Sequence, residues 1–112
     1  MIAVIYRFHL KPEQVTDYQK HWNCVTDYFI SHRGAIGSVL HQGEDNLWVA
    51  YSRWPDLKTR DAAWPGEKAA NDTFPETVKQ AISAMQALKT ENADLPHYDE
   101  ICLEVDIDKL TI

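Results

Sequence analysis

Two short segments carry large apolar side chains on both alternations of an extended chain. In residues 2–10 (IAVIYRFHL), Ile2, Val4, Tyr6 and Phe8 share one side, with Ala3 and Ile5 on the other. In residues 47–54 (LWVAYSRW), Leu47, Val49 and Tyr51 oppose Trp48, Ala50 and Trp54. β-Branched and aromatic runs of this length, closed by Lys11-Pro12 and by Pro55, read as strands. A strand with one wet face alternates polar and apolar; these two do not, so both faces of their sheet need cover.

The rest of the chain sets how much cover it has. Pro12 suits a first helical turn. After it Val15, Tyr18, Trp22, Val25 and Phe29 recur three and four apart, which predicts an amphipathic helix ending at Gly34. Residues 36–42 form a second strand, and the Gly43-Glu44-Asp45-Asn46 turn makes a hairpin with the strand at 47–54. Asp56 caps a short helix from Leu57 to Trp64, which Pro65-Gly66 breaks. Residues 65–74 read as irregular. A further helix follows, capped by Asp72 or Thr73, with Pro75 and Glu76 in its first turn and Val78, Ile82, Met85 and Leu88 on its apolar face. After Leu95-Pro96, residues 98–107 alternate with period two and predict a fourth strand. The order βαββαβ predicts an α+β, ferredoxin-like plait: a four-stranded antiparallel sheet with helices on one face. Those helices cover one face only. Each large side chain left wet on the other forgoes roughly 1.5–3 kcal/mol of burial, so a second copy packed on the open face is expected.

The 112 residues fit one domain spanning 1–112, and 45% hydrophobic with 25% charged residues is a globular mixture. A formal charge of −6 makes nucleic acid and anionic membrane poor partners. No apolar run reaches the ~20 residues that span a bilayer, and no signal peptide is expected from the opening residues. Cys24 and Cys102 lie far apart without a CxxC, which predicts reduced thiols in the cytoplasm. His9, His21, His32, His41 and His97 share no ligand spacing, so no metal site is expected. Neither cysteine has a local His partner, and there is no GxSxG, GxGxxG or P-loop.

Three stretches carry a resemblance: IAVIYRFHLKPEQVTDYQKHW, RGAIGSVLHQGEDNLWVAYSRW and WPDLKTRDAAW. They resemble the first strand and helix, the hairpin, and the strand-end Trp with short helix of the antibiotic biosynthesis monooxygenase (ABM) family. The likeness extends over roughly Ile2 to Asp106 and is of fold rather than of a catalytic fingerprint. It implies a homodimeric α+β barrel with back-to-back sheets and a small apolar pocket between helices and sheet in each subunit. It also implies oxidation of quinol-like or polyketide aromatics by dioxygen with no metal, flavin or other cofactor. The haem-degrading branch of such proteins uses an Asn in the first strand, a Trp in the short helix and a His beyond it. Here Trp64 matches the Trp, Tyr6 stands near the Asn, and no His occurs between Arg53 and Pro96. The same missing histidine leaves an alternative open: a non-catalytic, ligand-binding or stress-associated dimer on this scaffold.

Within such a pocket Tyr6 and Trp64 are the candidate contacts, with Phe8, Trp22 and Phe74 as wall. Trp64 either caps a planar substrate beside a lid formed by residues 65–74 or plugs the core. Tyr6 either orients a substrate oxygen or bonds within the protein. His9 is the candidate acid–base group, tuned by a carboxylate. On the same column Arg7 is expected to pair across strands with Glu100 or Glu104.

Overall fold

The alternation in the first segment governs the whole molecule, because every other strand pairs directly or indirectly with it. The structure is a computed structural model, and it describes residues 1–63 and 74–110. Trp64 and most of the expected lid fall outside the described residues. Strand β1 (Ile2–His9) is followed by a 3₁₀ turn (Pro12–Gln14) and helix α1 (Val15–His32). Strands β2 (Gly37–Gln42) and β3 (Leu47–Trp54) form the hairpin. Helices α2 (Leu57–Ala63) and α3 (Glu76–Glu91) precede strand β4 (Ile101–Glu104). The four strands form one antiparallel sheet in the order β2-β3-β1-β4, the ferredoxin-like plait, with β1 and β3 central. Within one chain the sheet is open, not a closed barrel.

Local signals account for the boundaries. The helix does not begin at Pro12: a tight turn comes first, in which the Lys11 N–H donates to Gln14 Oε1 at 2.9 Å. Gly34 ends α1 at φ 82°, and the Ala35 N–H folds back to the Phe29 carbonyl at 3.2 Å. The hairpin turns through Asp45 and Asn46, both left-handed at φ 55° and 63°. The Thr59 N–H donates to Asp56 Oδ1 at 2.7 Å, capping α2 as expected. Helix α3 starts at Glu76 with Pro75 at the N-cap position, two or three residues later than caps at Thr73 or Asp72 would place it, and those two residues fall outside the described ones. Strand β4 is four residues rather than ten. It pairs Ile101–Glu104 with Ile5–Ile2 of β1, and just past it the Val105 N–H reaches the Met1 carbonyl at 3.0 Å.

Cross-strand partners share a face. Register therefore joins Ile2, Val4, Tyr6 and Phe8 to Trp54, Ser52, Ala50 and Trp48. This column packs against the helices: Val4, Trp54, Ala35 and Ala63 form one buried cluster, and Leu10, Tyr18 and Trp48 another. Both tryptophans thus belong to the helix-covered core. A third cluster joins α1 to α3 through Val25, Phe74, Val78, Ala81 and Ile82. The opposite face carries Ile5, Val49, Tyr51, Val39, Ile101 and Leu103, of which Val39 and Leu103 are 51% and 45% exposed. Among the described residues two segments reach this face: Tyr98 packs on Arg7 and His9, and in the C-terminal tail Asp108 Oδ2 accepts from Arg53 Nη1 at 2.6 Å, which holds that carboxyl below its usual range.

Candidate functional site

A cavity of about 440 Å³ lies between the sheet and helices α1 and α3, within the range of small-molecule sites. Its existence follows from side-chain size. Ser38, Ala50 and Ser52 are small and sit side by side on β2 and β3, so the sheet floor is low there. Around that floor stand Phe8, Tyr18, Trp22, Phe29, Trp54 and Met85. Phe8 and Tyr18 pack with ring centroids 4.9 Å apart. The Ser38 and Ser52 hydroxyls bond each other at 2.8 Å, so the floor offers few free polar groups.

Polar groups gather at two ends. At one, the Tyr6 hydroxyl accepts a hydrogen bond from Arg60 Nη2 at 3.1 Å, and the same nitrogen donates to Glu100 Oε2 at 2.5 Å. Burial raises the Tyr6 pKa above the usual phenol range; the hydrogen bond from Arg60 pulls it down without cancelling that effect. For Arg60 burial disfavours the charge, but bonding to Tyr6 and Glu100 outweighs it and the guanidinium stays charged. At the other end two buried amides satisfy each other. Gln14 Nε2 donates to Asn92 Oδ1 at 3.1 Å, and Asn92 Nδ2 donates to Gln14 Oε1 at 2.8 Å.

The sequence-derived candidates separate in space. Tyr6, Phe8 and Trp22 meet around the cavity, and His9 joins them at the end of β1. His9 Nε2 is hydrogen-bonded to the Tyr98 hydroxyl at 3.1 Å, not to a carboxylate. Phe74 is not among the lining residues: its ring lies in the α1–α3 core, edge-on to Tyr28 at 5.5 Å and under the Arg33 guanidinium at 4.5 Å. Trp64 lies outside the described residues. The expected pairing of Arg7 with Glu100 or Glu104 is not formed. Register places Glu104 opposite Ile2, on the helix-facing column, whereas Arg7 is on the other. Glu100 is held by Arg60 instead, and the Arg7 guanidinium lies 4.8 Å from the Tyr98 ring centroid. Arg60, Tyr98 and Asn92 went unnoticed in the sequence. Arg60 left one trace: it lies three residues before Ala63, on the inward face of α2. Among the described residues no group of three or more His, Cys, Asp or Glu is placed to hold a metal ion. No helix there is long and apolar enough to cross a membrane.

A family model described as antibiotic biosynthesis monooxygenase matches residues 1–65. No curated protein matches the sequence significantly. Solved structures do share the fold. A Deinococcus radiodurans protein considered an antibiotic biosynthesis monooxygenase superposes with a TM-score of 0.65 at 10% identity, over 100% of this chain and 99% of its own. Rv0793 of Mycobacterium tuberculosis gives 0.65 at 14% identity, covering 97% and 98%. SnoaB, a cofactor-independent oxygenase of Streptomyces nogalater, gives 0.63 at 14% identity, covering 96% and 95%.

Proposed function

Given that the chain belongs to the antibiotic biosynthesis monooxygenase family, we propose that its cavity takes a small, flat aromatic of the quinol or polyketide kind and oxidises it with dioxygen, without metal or flavin. The observation that carries this reading is the cavity wall. Five aromatic side chains and Met85 surround a floor made of Ala50 and two mutually satisfied serines. Such a site favours a planar apolar body and excludes competing water. Tyr6, protonated at neutral pH, orients a ligand oxygen at one end, and Trp64 is proposed to contact the ring.

The chemistry needs little from the protein. A deprotonated, electron-rich ring passes one electron to dioxygen, the two radicals combine to a peroxide anion, and a proton from water, replacing the one lost at ionisation, makes it the hydroperoxide. Loss of water then leaves a carbonyl, so one CH₂ and one O₂ become one C=O and one H₂O. The protein supplies orientation and a dry cavity. That a fold neighbour is a cofactor-independent oxygenase agrees with this route. Two copies are proposed to join through their open sheet faces, where Val39 and Leu103 are uncovered. The free thiols of Cys24 and Cys102 suit a reducing cytoplasm.

Oxygen uptake with hydroquinones and anthrones, aerobic against anaerobic, tests the reaction. Expected with the anthrones, which carry the reacting CH₂, is one dioxygen consumed per carbonyl formed, with Trp64→Ala and Tyr6→Phe slower. Ala50→Leu fills the floor and should weaken binding at least about tenfold, equivalent to 1.4 kcal/mol. The absence of any histidine between Arg53 and Pro96 favours a second reading, a binding protein without turnover. Tight binding with no oxygen uptake would decide for it.

A further inference from the structure

We propose that the Tyr6 end of the cavity is a subsite for the anion of an acidic ring hydroxyl, and that Arg60 selects ligands carrying one. The inference rests on the aromatic-binding reading above and names the ligand's polar group. Its basis is a smaller cavity of about 240 Å³, bounded by Tyr6, Phe29, Trp54, Arg60, Ala63 and Glu100. Four of these six, Tyr6, Phe29, Trp54 and Glu100, also line the main cavity. A ring seated among the aromatic walls therefore has one edge turned toward the guanidinium.

Three features make that edge fit an oxyanion. First, the Tyr6 hydroxyl accepts from Arg60 but donates to no acceptor among the described residues, so its proton is free for a ligand oxygen. Second, Arg60 is rooted in α2 with its side chain only 20% exposed, whereas its counter-ion Glu100 is 42% exposed. The carboxylate can leave for water while the cation stays. The other contact of Arg60, Nη1 to Asp61 Oδ1, is long at 3.4 Å and lies at the surface side. Third, the apolar surroundings strengthen a charge-assisted hydrogen bond relative to water. Arg60 and Tyr6 then offer two donors to one oxygen, and the hydroxyl proton goes to bulk solvent. This also sets the reactive form: the bound anion is the species rich enough in electrons to reduce dioxygen. An alkyl ether or a bare hydrocarbon gains nothing from this end.

The probes are 4-nitro-1-naphthol, whose anion absorbs in the visible, and its methyl ether, which cannot ionise. Bound to the native chain, the naphthol should ionise at least about one pH unit lower than in water, a tenfold preference for the anion. Arg60→Met should abolish the shift and leave ether binding within twofold. Glu100→Gln should lower the midpoint further, because the competing carboxylate is gone. If the ether binds but the naphthol midpoint is unmoved or raised, the anion subsite is overturned and the aromatic cavity stands. If neither probe binds, both readings fall. Should Arg60→Met not fold, Glu100→Gln decides alone: a midpoint equal to that of the native chain overturns the proposal.

Discussion

Tyr6 and Tyr18 hold their protons beyond the ordinary phenol range. Burial is the main cause at both, and at Tyr6 the Arg60 hydrogen bond opposes it without winning. Raised values mean that the folded chain binds more protons than the unfolded one. The associated stability is complete below the unfolded phenol pKa of about 10 and is lost as pH rises through the folded values. Denaturation midpoints should therefore fall above about pH 10, and phenolate absorbance should show Tyr6 and Tyr18 ionising late. Tyr6 and Tyr18 ionising at the ordinary phenol midpoint would contradict the burial. The Gln14–Asn92 pair carries a second residue-scale prediction. Asn92 Nδ2 also reaches the His9 carbonyl at 3.3 Å, so one amide ties the 3₁₀ turn, the end of β1 and the end of α3. Gln14→Leu strands buried polar atoms on Asn92 and should cost about 1–3 kcal/mol in chemical denaturation. Near-additive effects of Gln14→Leu and Asn92→Leu would show the two amides to be uncoupled.

Between elements, Gly34 does two jobs. Its left-handed φ closes α1, and a Cβ there would meet Thr59 Cγ2 of α2 at 2.9 Å. Both the strain and the clash predict that Gly34→Ala destabilises the fold, by about 1–3 kcal/mol. Because Thr59 neighbours Arg60, the same change should increase hydrogen exchange across Leu57–Ala63. Unchanged stability together with unchanged exchange would mean that α2 does not dock against the end of α1. Helix α2 is short, and its docking and the Asp56 cap are what aim Arg60 at Tyr6. The element, not the residue alone, builds that end of the cavity.

At the scale of the molecule, the sheet face away from the helices holds Ile5, Val39, Val49 and Leu103, with Val39 and Leu103 51% and 45% exposed although Tyr98 and the tail near Asp108 lie on parts of it. Exposed apolar patches of this kind mark contacts between proteins. Sedimentation at micromolar concentration should give twice the chain mass, and Val39→Glu with Leu103→Glu should shift the population toward single chains. A compact, well-behaved single chain at that concentration would refute the pairing.

The order of elements, the central place of β1 and β3 and the stop at Gly34 were all legible in the sequence. They depend on periodicity, glycine and proline, which act within a few residues. The same holds for Tyr6, Phe8 and Trp22 as cavity wall, since strand parity and helical spacing place them. The partner of Glu100 was not legible. A single step in strand parity moves a side chain to the other face, so Glu104 and Arg7 cannot meet, and Glu100 turns to Arg60, forty residues away in sequence. Phe74 likewise looked like wall until the docking of α3 on α1 enclosed it in the core. Local rules fixed which surfaces are apolar; only three-dimensional packing decided which charges share an enclosed space, because ion pairing depends on distance and burial that no spacing along the chain encodes.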